Sequence, residues 1–148
     1  MVVKLMKNKY LIILLSFFLI GCTKIDINKE TFVREIDNKL NNMLEISEQE
    51  LNNYYEINTD NFIDFVFKVS KDEPTNIYVL VLPKDKKEAK KDIDNFFDKL
   101  AKNCSKECQK RIKNNYSNNY GDYLFYIVSD NSKNIYKEMK EFIKNEQK

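Results

Sequence analysis

Residues 62–82 read FIDFVFKVSKDEPTNIYVLVL and contain two β-rich apolar segments separated by a polar loop. Over residues 62–70 apolar side chains alternate with more polar ones, which predicts a strand with one strongly apolar face. Residues 77–82 are all apolar, a pattern typical of a central strand. The loop between them contains Pro74, and we expect the two strands to form an antiparallel hairpin.

Amphipathic helices are predicted on either side of this hairpin along the chain. Apolar residues recur every three or four positions over residues 29–45, over 85–103 and again beyond Ser132, with charged residues between them. Residues 104–116 continue the apolar pattern at steps of four. They either extend the second helix through a bend or form a separate one.

A shorter helix is predicted between the first long helix and the hairpin. Ser47 followed by Glu50 matches a capping box, which marks a helix start. The helix is expected to run through Tyr55, with Leu51, Tyr54 and Tyr55 on its inner face.

A third strand is predicted over residues 123–129, after a turn around Gly121. Gly121 is one of two Gly in the chain, and a positive φ is expected there. The direction of this strand stays open, because it depends on whether residues 104–116 bend or form a second helix. The predicted fold class is α+β: a two-layer domain with a small three-stranded sheet, packed by amphipathic helices mainly on one side.

The N-terminus has the features of a secretory signal. Three Lys precede residue 10 without any acidic residue, and residues 11–20 are apolar except for Ser16. This run is about half of the roughly 20 residues that cross a bilayer. The sequence Leu19-Ile20-Gly21-Cys22 that ends it resembles the bacterial lipobox. That resemblance implies cleavage before Cys22 and lipid attachment to its Sγ.

The chain of 148 residues is therefore predicted to have three parts. These are a lipoprotein signal peptide at 1–21, a lipidated tether at 22–28 and a single α+β domain at 29–148. Loss of the signal removes three Lys, so the formal charge falls from +2 to −1. A nearly neutral chain outside the cytoplasm argues against a nucleic-acid partner. We expect it on the extracytoplasmic face of the cell membrane, or on the outer membrane if the host has one.

Three short motifs carry a further resemblance. They are Tyr55-Glu56-Ile57 before the first strand, the apolar strand 77–82 leading into a Lys-rich helix, and Tyr120-Gly121-Asp122-Tyr123 entering the third strand. Over residues 51–143 the chain is similar to a domain family of unknown function found in small bacterial lipoproteins. The resemblance implies no catalytic residues. The family has no Cys pair between the long helix and the third strand, where this chain has Cys104 and Cys108.

Cys104 and Cys108 remain once Cys22 is assigned to the lipid. An even pair outside the cytoplasm favours a disulfide. In a regular helix, however, Cβ atoms four residues apart lie about 6 Å from each other, and a disulfide needs about 3.8 Å. A bridge would require the helix to break near residues 103–105. A disulfide, two packed reduced thiols, and redox or metal chemistry all stay open.

The composition excludes much familiar chemistry. The chain has no His, so it has no Ser-His or Cys-His pair and no imidazole metal ligand. Two Gly cannot build a glycine-rich phosphate loop. The acidic residues alternate with Lys along helix faces that are expected to be solvated. We predict no catalytic residues, no metal, no cofactor besides the lipid on Cys22, and no enzymatic activity.

Tyrosines gather around the predicted turn at Gly121. Together with Tyr54 and Tyr55 they would form an exposed aromatic surface. Such a surface would suit binding, because Tyr is a good interface anchor. We favour the alternative, in which most of them fill a small core at the sheet edge and each hydroxyl reaches water. Tyr120 and Tyr123 flank the turn and are the candidate interaction residues. The full set around the turn is Tyr116, Tyr120, Tyr123 and Tyr126.

These features predict a lipid-anchored binding or protein-interaction module at the cell envelope. Its expected partners are the membrane, through the lipid, and an envelope protein or peptide. Two alternatives remain: an envelope hydrolase or other enzyme without a recognisable motif, and a structural or protective surface lipoprotein.

Overall fold

The computed structural model describes residues 27–146 of the chain. The predicted signal peptide, the lipobox and Cys22 lie outside the described residues. In chain order the elements are α1 (Lys29–Leu40), β1 (Met43–Glu45), α2 (Glu48–Asn53), a 3-10 turn (Thr59–Asn61), β2 (Phe62–Ser70), β3 (Ile77–Pro83), α3 (Lys86–Lys102), α4 (Lys106–Lys113), β4 (Tyr116–Tyr120), β5 (Tyr123–Val128) and α5 (Ser132–Glu146).

The described strands form one antiparallel sheet in the order β1-β2-β3-β5-β4. The predicted hairpin of β2 and β3 is confirmed, with Val69 opposite Ile77. β5 is antiparallel to β3, with Val79 opposite Tyr126. This direction follows because β4 makes the return pass after α3 and α4, and a tight turn at Gly121 then leads into β5. Gly121 has the expected positive φ, 57°.

The prediction of a three-stranded sheet is wrong, because the sheet has five strands. The two additional strands lie at its edges and carry weak sequence signals. β1 has only three residues, and the centre of β4 is the exposed polar run Ser117, Asn118 and Asn119. An edge strand has one partner strand, so it can form without a strong apolar pattern.

Helices cover both faces of the sheet, so the prediction of two layers with helices mainly on one side is also wrong. One core lies under α2, α3 and α4 and includes Phe67, Val79 and Phe96. The other lies under α1 and α5 and includes Phe32 and Phe125. β3 alternates between the two cores, which explains its uninterrupted apolar sequence. The molecule is an α+β domain with a sheet between two helical layers.

The helix predicted over residues 29–45 ends at Leu40. Asn41 and Asn42 follow with φ values of 52° and 44°, and Asn tolerates this region better than most residues. The chain then reverses into β1. The apolar side chains of Met43 and Leu44 continue the helical spacing in sequence, but they belong to a strand.

A bulge near the start of β2 sets the register of its side chains. Phe62 lies opposite Pro83 and Asp64 lies opposite Leu82, which leaves Ile63 as an extra residue. Phe62 is therefore buried, whereas Ile63 is 63% exposed.

A polar contact fastens α1 to the sheet. The hydroxyl of Tyr78 donates to Asp37 Oδ1 at 2.8 Å, and Lys68 Nζ donates to Asp37 Oδ2 at 2.6 Å. Burial, and then the Asp37 carboxylate, raise the pKa of Tyr78 far above that of an exposed phenol. The contact lets a fully buried tyrosine keep a hydrogen-bond partner.

Candidate interaction site

Helix α2 forms one wall of the candidate interaction site, which is a groove at the edge of the sheet. The predicted capping box is confirmed: Ser47 Oγ accepts from the Glu50 backbone N–H at 3.3 Å, and Glu50 Oε2 accepts from the Ser47 N–H at 2.8 Å. These hydrogen bonds, led by the one from the Ser47 side chain, lower the pKa of Glu50. At the other end Glu56 has a φ of 57°, and the Ile57 N–H donates to the Leu51 carbonyl at 3.0 Å.

The residues at the end of α2 differ in burial. Leu51 is fully buried, and the Tyr55 ring is half-buried, with its centroid 4.8 Å from that of Phe96. Tyr54 was expected on the inner face, but it is 60% exposed. Tyr54 keeps helical backbone angles, and its N–H donates to the Glu50 carbonyl at 2.9 Å, but it is the C-cap of α2, so no further helical turn follows it. Its ring meets that of Tyr55 edge to face at 4.9 Å.

A groove runs between α2 and the edge of the sheet. Its volume is about 420 Å³. Its lining includes two exposed apolar side chains, Leu44 at 52% and Tyr54 at 60% exposure. We call it the edge groove, and its lining residues are Leu44, Glu45, Ile46, Glu50, Tyr54, Tyr55 and Val69.

A second, more apolar hollow of about 230 Å³ adjoins the edge groove. Lys99 fixes its rim, because its Nζ donates to the Tyr54 carbonyl at 3.2 Å and pairs with Glu56 at 2.8 Å. Hydrogen bonding to Lys99 and its charge lower the pKa of Glu56. We call this second hollow the disulfide hollow, because the bonded pair Cys104 and Cys108 is part of its lining. It shares Tyr54, Tyr55 and Val69 with the groove and adds Pro74, Ile77, Lys99, Leu100, Asn103, Cys104, Cys108 and Ile112.

Cys104 and Cys108 form a disulfide with their Cα atoms 5.8 Å apart. The chain leaves the helical conformation between α3 and α4, where such a bridge needs a break. Ser105 then caps α4, since its Oγ accepts from the Cys108 N–H at 3.3 Å. Cys108 is buried in the first core and Cys104 is half-buried against it.

The proposed pair Tyr120 and Tyr123 does not form an exposed surface. Tyr120 is 3% exposed, and its hydroxyl donates to the Tyr136 carbonyl at 2.9 Å. β4 extends through Tyr120 and turns its ring under α1 and α5, where burial raises its pKa. Tyr123 is half-buried, and its hydroxyl donates to Asp64 Oδ2 at 3.4 Å. Both residues pack with the second core, whereas Tyr54 packs against Tyr55 at the first core.

Strand β1 presents a free edge next to the groove. The Ile46 N–H donates to the Phe67 carbonyl at 2.9 Å, and the Lys71 N–H donates to the Asn42 carbonyl at 3.0 Å. Because alternate residues of an antiparallel strand point to the partner, the backbone groups of Met43 and Glu45 point away from β2. Within residues 27–146 no strand pairs on that side.

The segment that forms β1 and α2 is acidic. Residues 43–56 contain four Glu and no Lys or Arg, and all four Glu are exposed. This charge, together with the Asn41-Asn42 break before it, is the sequence signal that separates the segment from the preceding helix. Sequence reasoning missed Leu44 as a surface residue because it fits the helical apolar spacing.

Two further observations concern the part of the chain from 27 to 146. No three side chains among Cys, Asp and Glu there are grouped so as to hold a metal ion. No helix there has the length and apolar character needed to cross a bilayer.

Comparison with known families found one match. Residues 35–129 match the model of a family described as a domain of unknown function, DUF4358. The match supports the resemblance to a domain family of unknown function and moves its bounds from 51–143 to 35–129, so that it begins within α1 and ends before α5. No match was found among curated proteins, and none among solved structures.

Proposed function

Because the chain belongs to the DUF4358 family of domains of unknown function, we propose a function from its own geometry: a lipid-anchored interaction module of the cell envelope. The domain binds a protein or peptide at the edge groove. The lipid on Cys22 holds it at the membrane surface.

The edge groove carries this proposal. Leu44 and Tyr54 are two of the three most exposed large apolar side chains that the described residues contain, and both line this one groove. Exposed apolar residues that are grouped and rimmed by polar ones are typical of interaction sites. Aromatic residues such as Tyr54 are frequent anchors in protein interfaces.

The position of the chain's entry into the fold supports presentation from a membrane. Ile27 is buried in the second core, and Lys29 Nζ pairs with Asp64 at 2.5 Å near the start of β2. Four residues lie between Cys22 and Ile27, so the two Cα atoms are five steps apart, a span of at most about 18 Å. Val69 of the groove lies five residues further along β2 than Asp64, roughly 17 Å away. A lipid on Cys22 would therefore leave the groove at the far end of the sheet, open to a partner.

The proposal is tested in intact cells with the wild-type chain and a Cys22→Ala variant. Radiolabelled palmitate should label the wild type and not the variant. Equal labelling of both would contradict the proposed lipid anchor on Cys22. An amine-reactive crosslinker should join the wild type to a discrete partner identified by mass spectrometry. Absence of any such adduct would remove the interaction role.

A further inference from the structure

We infer that the ligand of the edge groove is an extended basic peptide segment that adds to β1 as a further strand. The inference rests on the proposed function and names the class of partner. The peptide places one apolar side chain between Leu44 and Tyr54 and basic residues on either side of it.

The backbone of β1 provides the first part of the recognition. The N–H and C=O groups of Met43 and Glu45 point away from β2, as the ladder between the two strands requires. Another strand can use these groups without displacing any described contact. Strand addition of this kind draws affinity from main-chain hydrogen bonds and specificity from alternate side chains.

The groove provides the second part. Leu44 lies opposite Val69, which in turn lies opposite Ile77, so these three side chains point to the same face of the sheet. A peptide residue in register with Leu44 points to that face as well, above the groove. There it meets Tyr54 and Tyr55, which bound both the groove and the disulfide hollow. The volume of about 420 Å³ accommodates one large apolar or aromatic side chain.

The charge of the groove lining provides the third part of the recognition. The edge groove is lined by Glu45 and Glu50, and it has no cationic lining residue among those described. Lys99 lies in the adjoining hollow, where Glu56 already pairs with it. Complementary charge speeds encounter and selects partners. Lys or Arg residues flanking the apolar anchor therefore fit this groove, and acidic residues do not.

The same charge argues against two other occupants. A second copy of this chain that paired β1 with β1 would bring two acidic segments together. An anionic bilayer surface would be repelled by the same Glu residues. Binding of either occupant would still be detected, by sedimentation for a second copy and by vesicle binding for a bilayer.

The experiment measures binding of three fluorescein-labelled peptides to the full chain in detergent by fluorescence anisotropy. The basic probe is Lys-Lys-Thr-Val-Phe-Val-Thr-Lys-Lys. The acidic probe has Glu at the four Lys positions, and the third probe has Pro at both Val positions, which prevents strand pairing. We expect the basic probe to bind at least about tenfold more tightly than either of the others.

Two matched variants locate the binding. Leu44→Lys places a cation at the groove and removes the apolar contact, so the affinity for the basic probe should fall about tenfold or more. Ile63→Lys makes the same change at the other end of β2, where the side chain is 63% exposed, and should leave the affinity unchanged. Both sites are exposed, and a circular dichroism spectrum of each variant serves as the check that it is folded.

The inference is overturned by equal binding of the basic and acidic probes, by equal effects of the two variants, or by no binding of the basic probe. A dimer in sedimentation that Leu44→Lys abolishes, without peptide binding, would assign the groove to a second copy. Vesicle binding that the same variant abolishes would assign it to lipid. If the in-cell adduct persists while the basic probe fails, only the ligand class is wrong, and the proposed function stands.

Discussion

Buried tyrosines govern how this domain responds to alkaline pH. Burial raises the pKa of Tyr126 to about 12, and it raises that of Tyr78 further, with Asp37 as an additional cause. An unfolded tyrosine has a pKa of about 10. Below pH 10 both states keep the phenol proton, so stability is unaffected. Above pH 10 the unfolded chain loses its protons first, and the free energy of unfolding falls.

A Tyr78→Phe substitution tests this at one residue. At pH 7 it should lower the free energy of unfolding by about 1–2 kcal/mol, because Asp37 loses a partly buried hydrogen bond. Between about pH 10 and 11.5 the loss of stability should become shallower by up to about 1.4 kcal/mol per pH unit. Urea unfolding of the full chain across this range measures both effects. Equal slopes in the wild type and the variant would contradict the burial argument.

Residue-scale reasoning from sequence worked where the backbone conformation was decided by adjacent residues. The positive φ at Gly121 and the Ser47–Glu50 capping box were predictable because each depends on a few adjacent residues. The exposure of Tyr54 and the burial of Tyr120 were not predictable in this way. Each depends on an element boundary: the end of α2 in one case, and the presence of β4 in the other.

The short helix α2 is the element on which the groove depends. A helix of six residues is unstable in isolation, so α2 relies on its cap and on the buried Leu51. The side chains that follow it, Tyr54 and Tyr55, form the wall of the groove. Weakening the cap should therefore affect the groove before it affects the sheet.

We expect Ser47→Ala to lower the stability of α2 by about 1 kcal/mol, because the cap loses its acceptor. Hydrogen exchange followed by mass spectrometry should show faster exchange over residues 48–55, with little change in β3. Ser117→Ala, in an exposed stretch of β4, is the matched control. Unchanged exchange in α2 would show that the cap does not hold the groove wall.

The turn between α3 and α4 is held by the disulfide. Thiol titration of denatured, unreduced protein should find no free thiol at Cys104 or Cys108, and reduction should release two. Replacing both with Ser should cost no more than about 2 kcal/mol, because the closed loop is short. Two free thiols before reduction would show that the bridge is absent.

At the scale of elements, the sequence was informative for the interior and weak for the edges. β2, β3 and the long helix α3 were predictable because each buries a continuous or periodic apolar pattern. β4 was not predictable, since the middle of the strand reads Ser-Asn-Asn. The second helical layer was hidden for a related reason. A wholly apolar β3 indicates burial on both faces, but it does not say which helices provide it.

At the scale of the whole molecule, entry of the chain and the candidate site lie at opposite ends of β2. The Lys29–Asp64 pair marks the entry, and Val69 marks the groove. A domain tethered close to the membrane by a few residues would thus direct the groove outward. Sequence predicted the tether but not this polarity, because the polarity arises from the register of β1, β2 and α1.

A single in-cell measurement tests contact at the edge groove directly. A photocrosslinking benzoylphenylalanine is placed at Tyr54 in one strain and at Ile63 in another, two positions with exposures of 60% and 63%. After irradiation of intact cells, we expect a discrete crosslinked partner from position 54 and none of that partner from position 63. The same partner at both positions, or none at position 54, would contradict a binding role for the groove.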